Sequence, residues 1–313
     1  MSHPLLIISF VTLLVSYPAL AHPSFDADDY RYARQAGDIL SGRATVSEYL
    51  TITNTWETMW WYPRDYRIQY FRPTVIMSFL AEYLVWGLNP FWYVLANIVL
   101  SVAYSYLAYL FLRLLLKDEG YSLLAALLFA VHPGHVSTTY YISGLTDLLL
   151  GIFWLLSLYL YAKPGADGLH YRLSLVAFFL ALLAKENAVT LIPIIVLFDA
   201  LAREGGLGFR GALKSRYKAY LGYAGVFGLY YALRLMLIPS IFIPNYIYPY
   251  YYTPGMPGFS AHLAAITLLY LFNLTSGVFS PTFFTSDSLV LDNLLRLFIL
   301  PTLILAGFVL LLA

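Results

Sequence analysis

The chain has no cysteine in its 313 residues, which excludes disulfides, thiolate nucleophiles and zinc-thiolate sites and leaves its redox compartment unread. Charge is scarce as well: 11% of residues are charged, against about 25% in soluble domains. Eighteen Lys plus Arg against seventeen Asp plus Glu leave a net charge of +1, so no basic surface points to nucleic acid as a partner. What is present instead is apolar. Hydrophobic residues make up 60% of the chain and mean hydropathy is +0.71, which excludes an ordinary soluble protein. No internal repeat, low-complexity tract or soluble domain stands out.

A helix that crosses a bilayer needs roughly 20 predominantly apolar residues, because every backbone amide in lipid must be satisfied within the protein. Stretches 4–21, 91–116, 147–161, 171–184, 188–202, 217–238, 262–280 and 294–313 fit as spans. Stretch 71–88 carries Arg72 and Glu82, and 121–131 is short. The first segment has no Lys or Arg before its apolar run, although Ala19-Leu20-Ala21 fits a cleavage pattern; an uncleaved anchor is expected. The final run, 300–313, has no charged stop.

Arg203, Arg210, Lys214, Arg216 and Lys218 face only Glu204 in one short loop, which places that loop in the cytoplasm. With the N-terminus also cytoplasmic, an even number of crossings precedes it; both ambiguous stretches together would give seven, so 71–88 is expected to be an interfacial amphipathic helix. Segments 22–70, 132–146, 185–187 and 239–260 fall on the outer face. The first of these holds seven of the seventeen acids: Asp26, Asp28, Asp29, Asp38, Glu48, Glu57 and Asp65. The expected architecture is an all-α polytopic membrane protein of about nine transmembrane helices. Residues 1–202 form its membrane module, with a large extracytoplasmic loop of interfacial helices over 22–90. The basic loop and C-terminal spans follow over 203–313.

Asp26, Asp28 and Asp29 open a helical pattern that runs to Ile39-Leu40 and stops near Gly42. Acids at a helix start are ordinary caps, yet three in four residues exceed what a cap needs, so capping and function both stay open. Arg72 before Pro73 reads as a snorkelling cation or as a holder of lipid phosphate. His132 and His135, three apart with Asp147 downstream, could ligate a divalent metal or end a helix. Lys185-Glu186 between apolar helices marks a tight hairpin or a site on the same face as Asp28. Arg234 reads the same way as Arg72. The aromatic run 246–252 fits the headgroup belt.

In order, these segments resemble the GT-C superfamily of membrane glycosyltransferases, above all the protein O-mannosyltransferase-like group that includes transmembrane O-mannosyltransferases with tetratricopeptide repeats. Phe71-Arg72-Pro73, Trp86-Gly87-Leu88-Asn89-Pro90 and Asn97 are similar to one family stretch. Phe129-Ala130-Val131-His132-Pro133-Gly134-His135-Val136, with Ile142-Ser143-Gly144 and Asp147-Leu148-Leu149, is similar to a second. Ala181-Leu182-Leu183-Ala184-Lys185-Glu186-Asn187-Ala188 is similar to a third. Asp28-Asp29-Tyr30-Arg31-Tyr32-Ala33 and Tyr70-Phe71-Arg72-Pro73 also resemble stretches of the related lipid A aminoarabinose transferases. The likeness covers about residues 26–199. Ser137 stands where the repeat-bearing group has Glu and Leu145 where it has Arg, and these 313 residues contain no such repeats.

The resemblance implies sugar transfer from a polyprenyl-phosphate donor to a hydroxyl of a protein or glycolipid, at the extracytoplasmic face of a plasma or endoplasmic-reticulum-type membrane. Asp28 would be the catalytic carboxylate with Asp29 beside it. Arg72, Lys185 and Arg234 would hold the donor phosphate, and His132, His135, Asp147 and Glu186 would bind substrate or support the site. No organic cofactor is expected. A divalent metal on Asp29, His132, His135 and Asp147 is an optional addition. A non-catalytic subunit that binds lipid-linked sugar, and a transporter or flippase, are the two other readings the sequence leaves open.

Overall fold

The computed structural model describes residues 3–46, 51–55, 67–163, 168–203 and 207–238, which all lie within one compact unit, Met1–Pro244. The expected spans 262–280 and 294–313, the segment 239–260 with its aromatic run, and Glu48, Glu57 and Asp65 lie outside the described residues.

Helices dominate: α1 (Pro4–Ala21), α2 (Ala27–Leu40), α3 (Pro73–Trp86), α4 (Pro90–Leu116), α5 (Glu119–Ala130), the short α6 (Val136–Tyr140), α7 (Leu145–Ala162), α8 (Leu169–Ala184), α9 (Leu191–Leu197) and α10 (Gly208–Leu237). Among the described residues three helical stretches are long and apolar enough to cross a membrane: Pro4–Ala21, Pro90–Leu116 and Ile142–Ala162. The protein is a mostly helical, membrane-type chain.

The local signals act as their chemistry requires. The Asn89 side chain accepts from the Phe91 amide at 3.2 Å and caps α4, just after Gly87 turns the chain at a φ of 58°. Helix α2 ends at Leu40, and Gly42 follows at a φ of 70°, the left-handed conformation that suits glycine. Asp29, Tyr32, Ala33 and Ala36 share one face of α2 at helical spacing, and all are buried. Tyr32 stacks on Phe79 of α3 with ring centroids 4.4 Å apart.

Several expectations need correction. The chain is not purely helical: β1 (Thr51–Thr55) and β2 (Arg67–Phe71) pair antiparallel, with Thr51 opposite Phe71 and Thr55 opposite Arg67. Their β-branched and aromatic residues suit strands. The stretch 188–202 is not one helix but a 3-10 turn (Glu186–Thr190), α9 and a π turn (Phe198–Ala202). Helix α10 begins at Gly208, so most of the basic loop is helical. Helix α3, 14 residues long, measures about 21 Å and is too short to span. It is not amphipathic as expected, because its exposed side chains Met77, Leu84 and Val85 are apolar.

Helices α7 and α8 form an antiparallel hairpin against α4, with α1 packed on α4 and α5, α2 on α3, and α10 on α8. The start of α7 and the end of α8 therefore share one end of the bundle. That end is sealed by Val75, Ile76, Phe79, Tyr93, Val94, Ile98, Ile142 and Leu145. Tyr161, at the far end of α7, is roughly 21 Å from Asp147 along the axis.

Candidate functional site

A cavity of about 270 Å³ opens at the α7-start, α8-end face, lined by Tyr32, Arg72, Thr138, Tyr141, Ser143, Gly144, Thr146, Asp147 and Lys185. It gathers residues from α2, the α3 cap, the α6–α7 turn and the α8 cap, which lie up to 153 positions apart between Tyr32 and Lys185.

Two cation–carboxylate pairs frame it. Arg72 donates from Nε and Nη2 to the two Glu186 oxygens at 3.3 and 2.9 Å, a two-pronged geometry that only a guanidinium can make. Its guanidinium carbon also lies 4.2 Å from the Tyr70 ring centroid. Lys185 donates from Nζ to Asp147 Oδ1 at 2.5 Å. Burial alone would lower the Arg72 pKa, but the Glu186 carboxylate outweighs it and holds the guanidinium above its ordinary range. Burial likewise pushes the Glu186 carboxyl up, and Arg72, aided by Lys185, reverses this to a net depression. Both partners are held ionised beside the cavity. Tyr230, one helical turn before Arg234, packs its ring 5.9 Å from Phe71, the residue before Arg72. Arg234 thus sits at this end of the bundle, though it does not line the cavity.

Asp29 is 1% exposed, and its carboxylate is occupied. It accepts from the Asp26 amide at 3.0 Å, a capping-box contact, and from the Ile142 and Ser143 amides at 3.3 and 2.7 Å. A carboxylate on the first amides of the Ile142–Ala162 stretch also favours that helix's positive end. Asp29 therefore staples α2 to the α7 turn. Asn97 completes this anchorage by donating to the Tyr141 and Ile142 carbonyls at 3.0 and 3.3 Å. Asp28 precedes Asp29 on α2, and its side chain lies outside the described residues.

Among the described residues the histidines belong to no metal-binding group. His132 Nδ1 accepts from the Gly134 amide at 3.1 Å. His135 packs against Phe129 and Tyr104, 4.5 and 5.9 Å between centroids, where burial, with His132 nearby, lowers its pKa and favours the neutral ring. Their own ring centroids are 6.3 Å apart. Among the described residues no three His, Asp or Glu side chains are grouped to hold a metal ion, so the set Asp29, His132, His135 and Asp147 does not fit one. Leu145 is buried in the apolar cluster beneath the cavity.

Sequence reasoning missed Tyr32, Thr138, Tyr141, Ser143 and Thr146 as cavity residues. For Tyr32 the signal was present, since it follows Asp29 by three on the same helical face.

The fold is helical and membrane-type, with two half-buried cation–carboxylate pairs at one end of the bundle. The chain is similar to protein O-mannosyl-transferase Tmtc1 of Drosophila melanogaster, 31% identical over 185 residues, covering 54% of this chain and 22% of that protein. It is similar to protein O-mannosyl-transferase TMTC2 of Homo sapiens, 29% identical over 183 residues, covering 56% of this chain and 21% of the relative. It is also similar to protein O-mannosyl-transferase TMTC3 of Mus musculus, 31% identical over 140 residues, covering 43% and 15%. No protein-family profile matches the chain. The chain is thus similar to protein O-mannosyl-transferases over about half its length, and its matched part spans 15 to 22% of the length of these relatives.

Proposed function

We propose that this protein is a membrane glycosyltransferase that moves a sugar, by likeness to its relatives a mannose, from a polyprenyl-phosphate donor to a protein hydroxyl at the extracytoplasmic face. The observation that carries the reading is the meeting of Arg72 and Lys185, 113 positions apart, at one cavity. Two fixed cations suit a lipid phosphate, on which negative charge grows as the sugar leaves.

In this reading the acceptor oxygen attacks the anomeric carbon while the carbon–oxygen bond to the lipid phosphate breaks, inverting the configuration. The hydroxyl proton passes to Asp28, and the electron pair leaves with the phosphate. A hydroxyl is a weak nucleophile until a positioned base takes its proton, whereas the phosphate leaves without one. Arg72, Lys185 and Arg234 neutralise it; Asp147 and Glu186 hold the first two cations in place. The proposed frame has about nine spans, with the catalytic module over 1–202 and a cytoplasmic basic loop opening 203–313.

The test is transfer of radiolabelled mannose from polyprenyl-phosphate mannose in membranes bearing the protein. Arg72→Ala is expected to reduce transfer by about 100-fold or more. Undiminished transfer by that variant rejects the reading.

A further inference from the structure

We infer that Asp147 recognises the sugar of the donor, its second carboxylate oxygen accepting hydrogen bonds from the hydroxyls of a neutral hexose, an assignment that rests on the glycosyltransferase reading. Asp147 then has two tasks at once, one oxygen holding Lys185 and the other selecting the sugar.

The two cation–carboxylate pairs of the cavity differ in what they leave uncommitted. Arg72 engages both oxygens of Glu186. Lys185 engages only Oδ1 of Asp147, at 2.5 Å, and among the described residues Asp147 Oδ2 makes no hydrogen bond. The Asp147 side chain is 45% exposed, against 23% for Lys185, and it lines the cavity. An ionised carboxylate is an acceptor only, so the partner that suits Oδ2 is a donor brought by the ligand.

The rest of the lining suits a polyol. Besides Asp147 and the two cations it consists of Gly144 and five hydroxyl-bearing side chains, those of Tyr32, Thr138, Tyr141, Ser143 and Thr146. Thr138 donates to the His135 carbonyl at 2.8 Å and keeps its lone pairs for a ligand. The hydroxyls of Tyr141, Ser143 and Thr146 make no hydrogen bond among the described residues, and each can donate and accept. An isoprenoid chain in this space would strip such groups of water and return nothing. The charges narrow the sugar further: Lys185 would repel the ammonium of an amino sugar, and Asp147 the carboxylate of a uronic acid.

These groups are held in place before a ligand arrives. Ser143, Thr146 and Asp147 stand together at the start of α7, where Asp29 accepts from the Ile142 and Ser143 amides and Asn97 donates to the Tyr141 and Ile142 carbonyls. One turn further along α7, Gly151 seats the helix closely on α4, since a Cβ there would stand 2.6 Å from Cζ of Tyr104. Fixed polar groups on a fixed helix start discriminate by position.

The test is the dissociation constant of the purified full chain in detergent for polyprenyl-phosphate mannose and for polyprenyl methyl phosphate, a diester of the same charge without the sugar. The mannosyl lipid is expected to bind about tenfold tighter. Asp147→Asn, which sets a donor where an acceptor stood, should bring the ratio of the two constants near one. The ratio cancels any effect of the substitution on Lys185 and the phosphate. Singly deoxygenated mannosyl lipids need no variant, and at least one should bind the unaltered protein about fivefold more weakly than the mannosyl lipid. A ratio near one in the unaltered protein, a ratio unchanged in Asp147→Asn, or tighter binding of polyprenyl-phosphate glucosamine than of the mannosyl lipid overturns the proposal. In each of these outcomes the phosphodiester lipid still binds, so the glycosyltransferase reading stands; failure of both lipids to bind would reject that reading and this one together.

Discussion

The guanidinium of Arg72 and the carboxylate of Glu186, 114 positions apart, face each other through two parallel hydrogen bonds of 3.3 and 2.9 Å. That contact ties the cap of α3 to the turn after α8. It also orients Arg72 along the cavity wall, so its loss has two separable effects. Arg72→Lys keeps the charge but cannot span both oxygens. It is expected to retain folding and lose most transfer, measured as mannose transferred per folded molecule. Glu186→Gln, which leaves the cation in place with a weaker partner, should cost less activity than either Arg72 variant. If Arg72→Lys transfers at the rate of the unaltered protein, the two-pronged geometry has no part in function.

Asp28 and Asp29 are neighbours with different expected roles, and substitution separates them. The Asp29 carboxylate accepts three backbone amides in a buried position. Asp29→Asn must turn an amide group toward donors, which leaves polar groups unsatisfied and costs about 1–3 kcal/mol of stability. Asp28→Asn is expected to lower transfer about 10²- to 10⁴-fold, the range for a lost general base, without moving the thermal midpoint in detergent. The reverse pattern, a stable Asp29→Asn and an active Asp28→Asn, would exchange the assignments.

Much of this arrangement was legible in the sequence, and the reasons differ by residue. Gly42 and Asn89 are local signals whose chemistry is complete within a few positions, so they fixed helix ends before any tertiary contact. The count of crossings put the segments around Arg72, Asp147, Lys185 and Glu186 on one face, and the fold brings these residues to one end of the bundle. What was not legible depends on contacts across the chain. Asp29 looked like part of a catalytic or metal cluster because its partners, the amides of Ile142 and Ser143, are backbone groups with no sequence signature. The histidines looked like ligands because spacing alone does not show that His132 Nδ1 turns back to the Gly134 amide. Strand β1 pairs with β2 across a long connection, which no local periodicity reports.

Gly144 shows why its motif requires glycine. A Cβ there would lie 2.5 Å from the Thr138 carbonyl oxygen and 2.7 Å from the Thr138 Cα, both backbone atoms that cannot swing aside. Gly144→Ala is therefore expected to push α6 from the α7 turn and widen the cavity mouth. The measurable result is a lower thermal midpoint together with reduced transfer. Gly42→Ala, whose added Cβ meets nothing within 4 Å but whose φ is positive, should cost about 1 kcal/mol and leave transfer per folded molecule intact.

Glu82 gives a pH signature. It lies on α3, which is too short to span, and its Oε2 is buried without a hydrogen-bond partner among the described residues. Burial pushes its pKa up to about 8. In the unfolded chain this carboxyl loses its proton near the usual value of about 4.3, whereas the folded chain retains it until about pH 8. The folded state thus binds the extra proton between these values, and stability declines as pH rises through that window. Glu82→Gln mimics the protonated acid. It is expected to leave the midpoint near that of the unaltered protein at pH 4 and to raise it at pH 8.5. A variant whose advantage does not grow with pH would place the Glu82 carboxylate in water.

Asp199 is the corresponding test of the far end. It is fully buried and accepts from the Tyr161 and Tyr220 hydroxyls at 2.5 and 2.9 Å as well as from Arg203. The π turn Phe198–Ala202 carries it and is tied to α7 and α10 through the Tyr161 and Tyr220 side chains. Removing one partner of a buried ion pair leaves the other uncompensated, typically at about 3–5 kcal/mol, whereas deleting a single hydroxyl costs about 1 kcal/mol. Asp199→Asn should therefore lower the detergent midpoint far more than Tyr220→Phe. Because this cluster is roughly 21 Å of helix away from Asp147, both variants should keep their transfer rate per folded molecule. Equal destabilisation by the two substitutions would mean that solvent, not Asp199, balances Arg203 and Arg216.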